Sequence, residues 1–183
     1  MKNQKLLRLI FMALCCDLGL FSKRIIAPFA NILTDSLHIP GGIGTAFSLL
    51  FLVVAAAIIP KFGTATLMGA VQSILALAFG MVGSMGALAP IGYIVPGIVI
   101  DTVLLLVRRF RTDEKLSMML ANMLGSVSAG LTANIIVFRL PAIPLALYAS
   151  VALVSGAVCG LLAAELYRRV GPILGRELRK DIE

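Results

Sequence analysis

Apolar residues run along this chain in six long blocks separated by short polar or proline-containing links. The blocks cover residues 6–21, 43–59, 63–81, 89–107, 116–137 and 143–167. A helix needs about 20 mostly apolar residues to cross a bilayer, with a range of roughly 17 to 25, and these blocks fall in or near it. Pro60 stops the second block, while Ser22, Lys23 and Arg24 follow the first. The pattern predicts an all-α integral membrane protein, a bundle of six transmembrane helices in one domain over 1–183. Short links make successive helices antiparallel neighbours. No internal repeat or low-complexity linker divides the chain.

Two segments break the pattern. Residues 22–42, "SKRIIAPFANILTDSLHIPGG", are too polar to span and too apolar for a free loop. They are expected to continue the first helix and then fold back over the bundle as a lid, with Asp35 and His38 in it. Residues 80–97, "GMVGSMGALAPIGYIVPG", are rich in Gly and Pro. Irregular backbone at membrane depth is tolerated where protein buries it or where it lines a cavity, so this segment predicts a pocket opening on the outer side.

Composition strengthens the membrane assignment. Of the 183 residues 60% are hydrophobic and 14% charged, against about half and a quarter in soluble domains. The net charge of +7 does not point to nucleic acid, because the basic residues lie between apolar blocks and Trp is absent. They orient the bundle instead. With the N-terminus in the cytoplasm, 13 basic residues (Lys2, Lys5, Arg8, Lys61, Arg108, Arg109, Arg111, Lys115, Arg168, Arg169, Arg176, Arg179 and Lys180) lie inside, and 3 (Lys23, Arg24 and Arg139) lie outside. Both termini are then cytoplasmic. The start, "MKNQKLLRLIFMALCC", mimics a signal peptide, but it lacks a small-residue cleavage site and is read as a retained first helix. The expected location is the bacterial plasma membrane, crossed several times.

Catalytic and metal motifs are missing. Cys15, Cys16 and Cys159 make an odd count inside apolar runs, and His38 is the single histidine, so neither a disulfide framework nor a metal site is expected. There is no P-loop. The serine motifs "VGSMG" and "SVSAG", with Ser84 and Ser128, come without a base, and no enzyme activity or cofactor is expected.

The remaining chemistry lies in polar residues within or beside the apolar blocks: Asp17, Gln72, Asp101, Asn122, Asn134 and Glu165. Asp101, in "PGIVIDTVLLLVRR", would cost about 2.5–3.5 kcal/mol facing lipid, so it should face protein or water. It has three readings: pairing with a basic side chain such as Lys23, Arg24 or Arg108, a structural hydrogen bond while protonated, or contact with a cationic ligand. Asp17 either pairs with another helix or lines the pocket; Arg24 shares its face but stands two turns away. Gln72 and Asn134 suit a neutral heterocycle or act as interhelical hydrogen bonds. Tyr93 either stacks on a ring or anchors at the interface, and Glu165 is expected to pair with Arg168 or Arg169. Ser126 and Gly130, and Gly156 and Gly160, are small pairs four apart that let helices approach closely.

Three segments carry a resemblance: "FLVVAAAIIPKFGTATLMGAV", "IGYIVPGIVIDTVLLLVRR" and "ILGRELRK". Together with length and layout, they resemble the substrate-binding S components of energy-coupling factor (ECF) vitamin transporters, closest to the thiamine or hydroxymethylpyrimidine branch. The resemblance implies a subunit that captures a vitamin outside, docks on a transmembrane T component driven by two ATPase subunits, and delivers its ligand inward. Asp17, Gln72, Tyr93, Asp101, Asn134 and Tyr148 become its candidate substrate contacts. Docking in that family uses two alanines four apart on the first helix. Here Ala13 is followed by Asp17, and Cys15 with Gly19 supplies the small pair instead. The helical tail, with Ile173, Leu174 and Leu178, adds a candidate cytoplasmic contact. A thiamine site would want a carboxylate beside aromatic rings; the third block carries no acid, which leaves a neutral pyrimidine or another small vitamin open. The alternatives are a structural subunit without a ligand and an intramembrane hydrolase using Ser84 or Ser128.

Overall fold

The computed structural model describes residues 2–36, 42–82, 86, 88–139 and 141–179. Among them are six α-helices: α1 (Lys2–Ser36), α2 (Ile43–Ile58), α3 (Thr64–Ala78), α4 (Ala89–Arg109), α5 (Glu114–Thr132) and α6 (Ala142–Arg179). A π-helical segment, Ala133–Phe138, extends α5. The protein is all-helical, as expected. Three helical stretches, Ala89–Arg109, Glu114–Ile136 and Ala142–Leu174, are long and apolar enough to cross a membrane, which suggests a membrane protein. At 16 and 15 residues, α2 and α3 reach about 24 and 22 Å, short of a hydrocarbon core of about 30 Å.

The core is built around α2. Its sequence is apolar on every side, and residues 52–59 are buried without interruption, as expected of a helix surrounded by others. Each of the other five helices touches it. Along the chain, α3 pairs with α4, α4 with α5, and α5 with α6.

Glycine sets the closeness of two of these pairings. A Cβ on Gly97 of α4 would stand 2.6 Å from the Ala65 carbonyl oxygen, and one on Gly69 of α3 would strike the Tyr93 carbonyl. Cβ atoms on Gly156 and Gly160 of α6 would stand 2.7 and 2.6 Å from the Cα atoms of Met123 and Met119 on α5. The small residues of α6 therefore do pack helices together. Pro96 and Gly97, expected in irregular pocket-lining backbone, are instead buried inside continuous α4. The Gly/Pro-rich stretch is helical from Ala89 onward because Pro90 falls in the first turn, where a missing N–H costs nothing.

The lid falls partly outside the described residues. Helix α1 does continue through Pro28 to Ser36, while His38 and residues 37–41, as well as Ser84, lie outside.

Candidate functional site

Helix α4 clamps the turn between α2 and α3 with two charges. Pro60 has no N–H, so the Ala56 carbonyl loses its ordinary helical partner four residues on. Arg108 Nη2 donates to that oxygen at 2.9 Å. On the other side of the turn, the first N–H groups of α3 lack partners in their own helix. Ala65 N donates to Asp101 Oδ1 at 3.0 Å, Thr66 N to Oδ2 at 2.8 Å, and the Thr66 hydroxyl to Oδ2 at 2.7 Å. A carboxylate at a helix N-terminus and a guanidinium at a C-terminus also match the two helix dipoles. The turn closes on itself through Thr64 Oγ1, which donates to the Lys61 carbonyl at 2.8 Å. Asp101 is 4% exposed and faces protein, held by backbone amides and a hydroxyl.

Two buried amides join three helices each. Gln72 Nε2 of α3 donates to the Cys16 carbonyl of α1 at 3.0 Å. It lies over Gly19, whose missing side chain makes room for it beside Ser48 of α2. Asn122 Nδ2 of α5 donates to Ala46 O of α2 at 3.2 Å and to Gly156 O of α6 at 3.0 Å. Both amides spend their donors on carbonyls of neighbouring helices.

A second set of polar groups lies at the end where α4 and α6 begin. Lys23 Nζ of α1 stands 5.0 Å from the centre of the Tyr93 ring of α4, within reach of a cation–π contact. One turn further along α1, Ala27 lies against Gly44. Gly42, just before α2, lies 3.4 Å from the Tyr148 ring by its missing Cβ, and Tyr148 of α6 rests on Gly130 of α5. One turn beyond Gly130 comes Asn134, buried at the start of the π-helical segment. Wide helical turns of this kind recur at functional sites. Lys23 with Tyr93, and Tyr148 with Gly42 and Gly130, thus lie toward one end, with Asn134 one turn past Gly130 and Gln72 deeper along α3.

The other candidates are distributed differently. Asp17 and Ala13 are exposed on α1 among Ile10, Leu14, Leu18 and Phe21. Cys15 and Gly19 are buried toward α2 and α3, so that small pair packs the chain onto itself; among the docking candidates only Ala13 is on the surface. Glu165 pairs with both arginines, at 3.6 Å to Arg168 and 3.0 Å to Arg169. Ser128 donates to the Gly125 carbonyl at 2.8 Å. No metal-holding group of His, Cys, Asp or Glu occurs among the described residues.

Three cavities lie at the opposite, basic end. One of about 170 Å³ is lined by Lys61, Asp101 and Arg108; another of about 120 Å³ by Arg108, Glu114 and Tyr167. A third, of about 380 Å³, lies between α1 and the α2–α3 turn. An apolar groove of about 460 Å³ runs along α6 beside Ile43. Sequence reasoning did not single out Lys23 for Tyr93, Arg108 for Ala56, or Asn122 as a three-helix junction. Pro60 was the available signal for Arg108, since it leaves a carbonyl open four residues earlier.

No family model, curated protein or solved structure matches this chain.

Proposed function

We propose that the chain is the membrane-embedded solute-binding subunit of an ECF-type importer, crossing the bacterial plasma membrane six times with both termini in the cytoplasm. The observation that carries this reading is the placement of Lys23 against Tyr93, and of Tyr148 against Gly130 one turn before Asn134, at the end away from Lys5, Lys61 and Arg108. A polar, partly aromatic group at the end with few basic residues fits a ligand entering from outside. The clustering of Lys5, Arg8, Lys61 and Arg108 around cavities at the other end supports its placement in the cytoplasm.

Within that reading, the ligand is a neutral heterocycle such as a hydroxymethylpyrimidine rather than cationic thiamine. Lys23 already faces the Tyr93 ring, and a second cation there would be repelled. The carboxylate of Asp101 is engaged by α3, and Asp17 points away from the bundle. The partners are a transmembrane T component and two ATPase subunits, and the chain itself carries no catalysis.

Native mass spectrometry of the purified protein, together with co-purification, tests the proposal. A retained pyrimidine and recovery of ATPase subunits are expected; a ligand-free protein that recovers neither would overturn it. A structural subunit is the second reading, and it is favoured by Gln72 and Asn122, whose amides donate to backbone carbonyls within the bundle.

A further inference from the structure

Between the first turns of α1 and the α2–α3 turn lies a groove of about 380 Å³ that joins two kinds of lining. Lys5, Arg8 and Lys61 line it, and none of the described residues that line it is acidic. Leu9, Phe62 and Leu67 form the rest of its wall, and they are 58%, 66% and 51% exposed. A cluster of cations calls for an anion. Apolar walls that open to the surroundings call for hydrocarbon.

We infer that this groove is a binding site for one anionic phospholipid. Its phosphate would sit between Lys5 and Lys61, with an acyl chain along Leu9, Leu67 and Phe62. A free phosphate could use the same charges but would leave the apolar wall without a role, so the lipid is the favoured source of the anion. The position agrees with the chemistry: basic pockets between helices on the cytoplasmic side hold anionic headgroups, and that leaflet is rich in them. The neighbouring carboxylate, Asp101, borders the adjacent cavity and is already held by the N-terminus of α3. A lipid here would fasten α1 to the α2–α3 turn.

The inference rests on the membrane placement in the proposed function and is independent of transport. The full chain, purified in a neutral detergent, is titrated with phosphatidylglycerol, phosphatidylcholine or inorganic phosphate and followed by native mass spectrometry and thermal unfolding. Phosphatidylglycerol should bind and raise the unfolding temperature, and phosphatidylcholine should do neither. The double variant Lys5→Gln/Lys61→Gln should weaken that binding about tenfold or more, since each cation near an anionic headgroup contributes about 1 kcal/mol. The control Arg109→Gln/Arg111→Gln removes the same charge outside the groove and should leave binding unchanged. Equal binding of the two lipids, or equal losses in the two double variants, would overturn the site. Protection by inorganic phosphate equal to that by phosphatidylglycerol would overturn the lipid assignment. A chain released from membranes by alkaline carbonate would instead refute the membrane placement itself.

Discussion

Asp101 and Arg108 stand two turns apart on α4 and hold opposite sides of one turn, Asp101 at the start of α3 and Arg108 at the end of α2. That relationship explains a carboxylate inside an apolar run. It serves as a helix cap supplied by another helix, placed where an apolar side chain would leave two amides without partners. Charged hydrogen bonds of this kind contribute about 1.5–3 kcal/mol each, more than an exposed cap of the same chemistry.

Asp101→Asn keeps the size but replaces one acceptor oxygen with a donor that must face Thr66 or Ala65. Stability should fall by about 1–3 kcal/mol, seen as a lower unfolding temperature of the detergent-solubilised protein. Thr66→Val should cost less, because the Thr66 amide keeps its bond. In the double variant the two losses should not add. Full additivity would show that the carboxylate and hydroxyl act separately.

Gly97→Val tests the contact between α3 and α4. Its side chain would meet the backbone at Ala65 and Thr66, which cannot yield without separating the helices. Overpacking of this type costs about 1–3 kcal/mol or more. Lower yield of monodisperse protein is the expected result, whereas Gly63→Ala, with nothing within 4 Å but a φ of +92°, should show only the milder penalty of a left-handed turn.

Under the proposed function, ligand retention should depend on Tyr93 through its ring. Tyr93→Phe should keep the bound heterocycle, and Tyr93→Leu should weaken it about two- to tenfold, in line with 0.5–1.5 kcal/mol for an aromatic contact. Titration of the purified variants with hydroxymethylpyrimidine measures this. Equal affinities for all three proteins would remove Tyr93 from the ligand site.

Asp17→Asn separates folding from assembly. Asp17 makes no hydrogen bond or ion pair among the described residues and lies exposed in an apolar face, so unfolding temperature should change by no more than about 0.5 kcal/mol equivalent. A charge facing lipid is unfavourable, and a partner helix offering a basic group would relieve it. Under the proposed function, recovery of the T component with the chain should therefore drop in this variant. Undiminished recovery would place the docking face elsewhere.

Some of this molecule follows from residue order alone. Runs of apolar residues, Pro60 at the end of α2, Pro90 at the start of α4 and small pairs on α6 are local features, and local features set where helices begin, end and approach closely. The grouping of basic residues is equally local to the links. The tertiary structure decided which way each helix faces. In a soluble protein, alternation of polar and apolar positions reveals the inner side. Here the inner and outer faces are both apolar, so Cys15 and Gly19 could not be told from Ala13 and Asp17 by periodicity. The partners of Asp101, Gln72 and Asn122 were hidden for a related reason. Apart from the Thr66 hydroxyl, they are backbone groups of helices 34 to 76 residues away, and every residue has such groups.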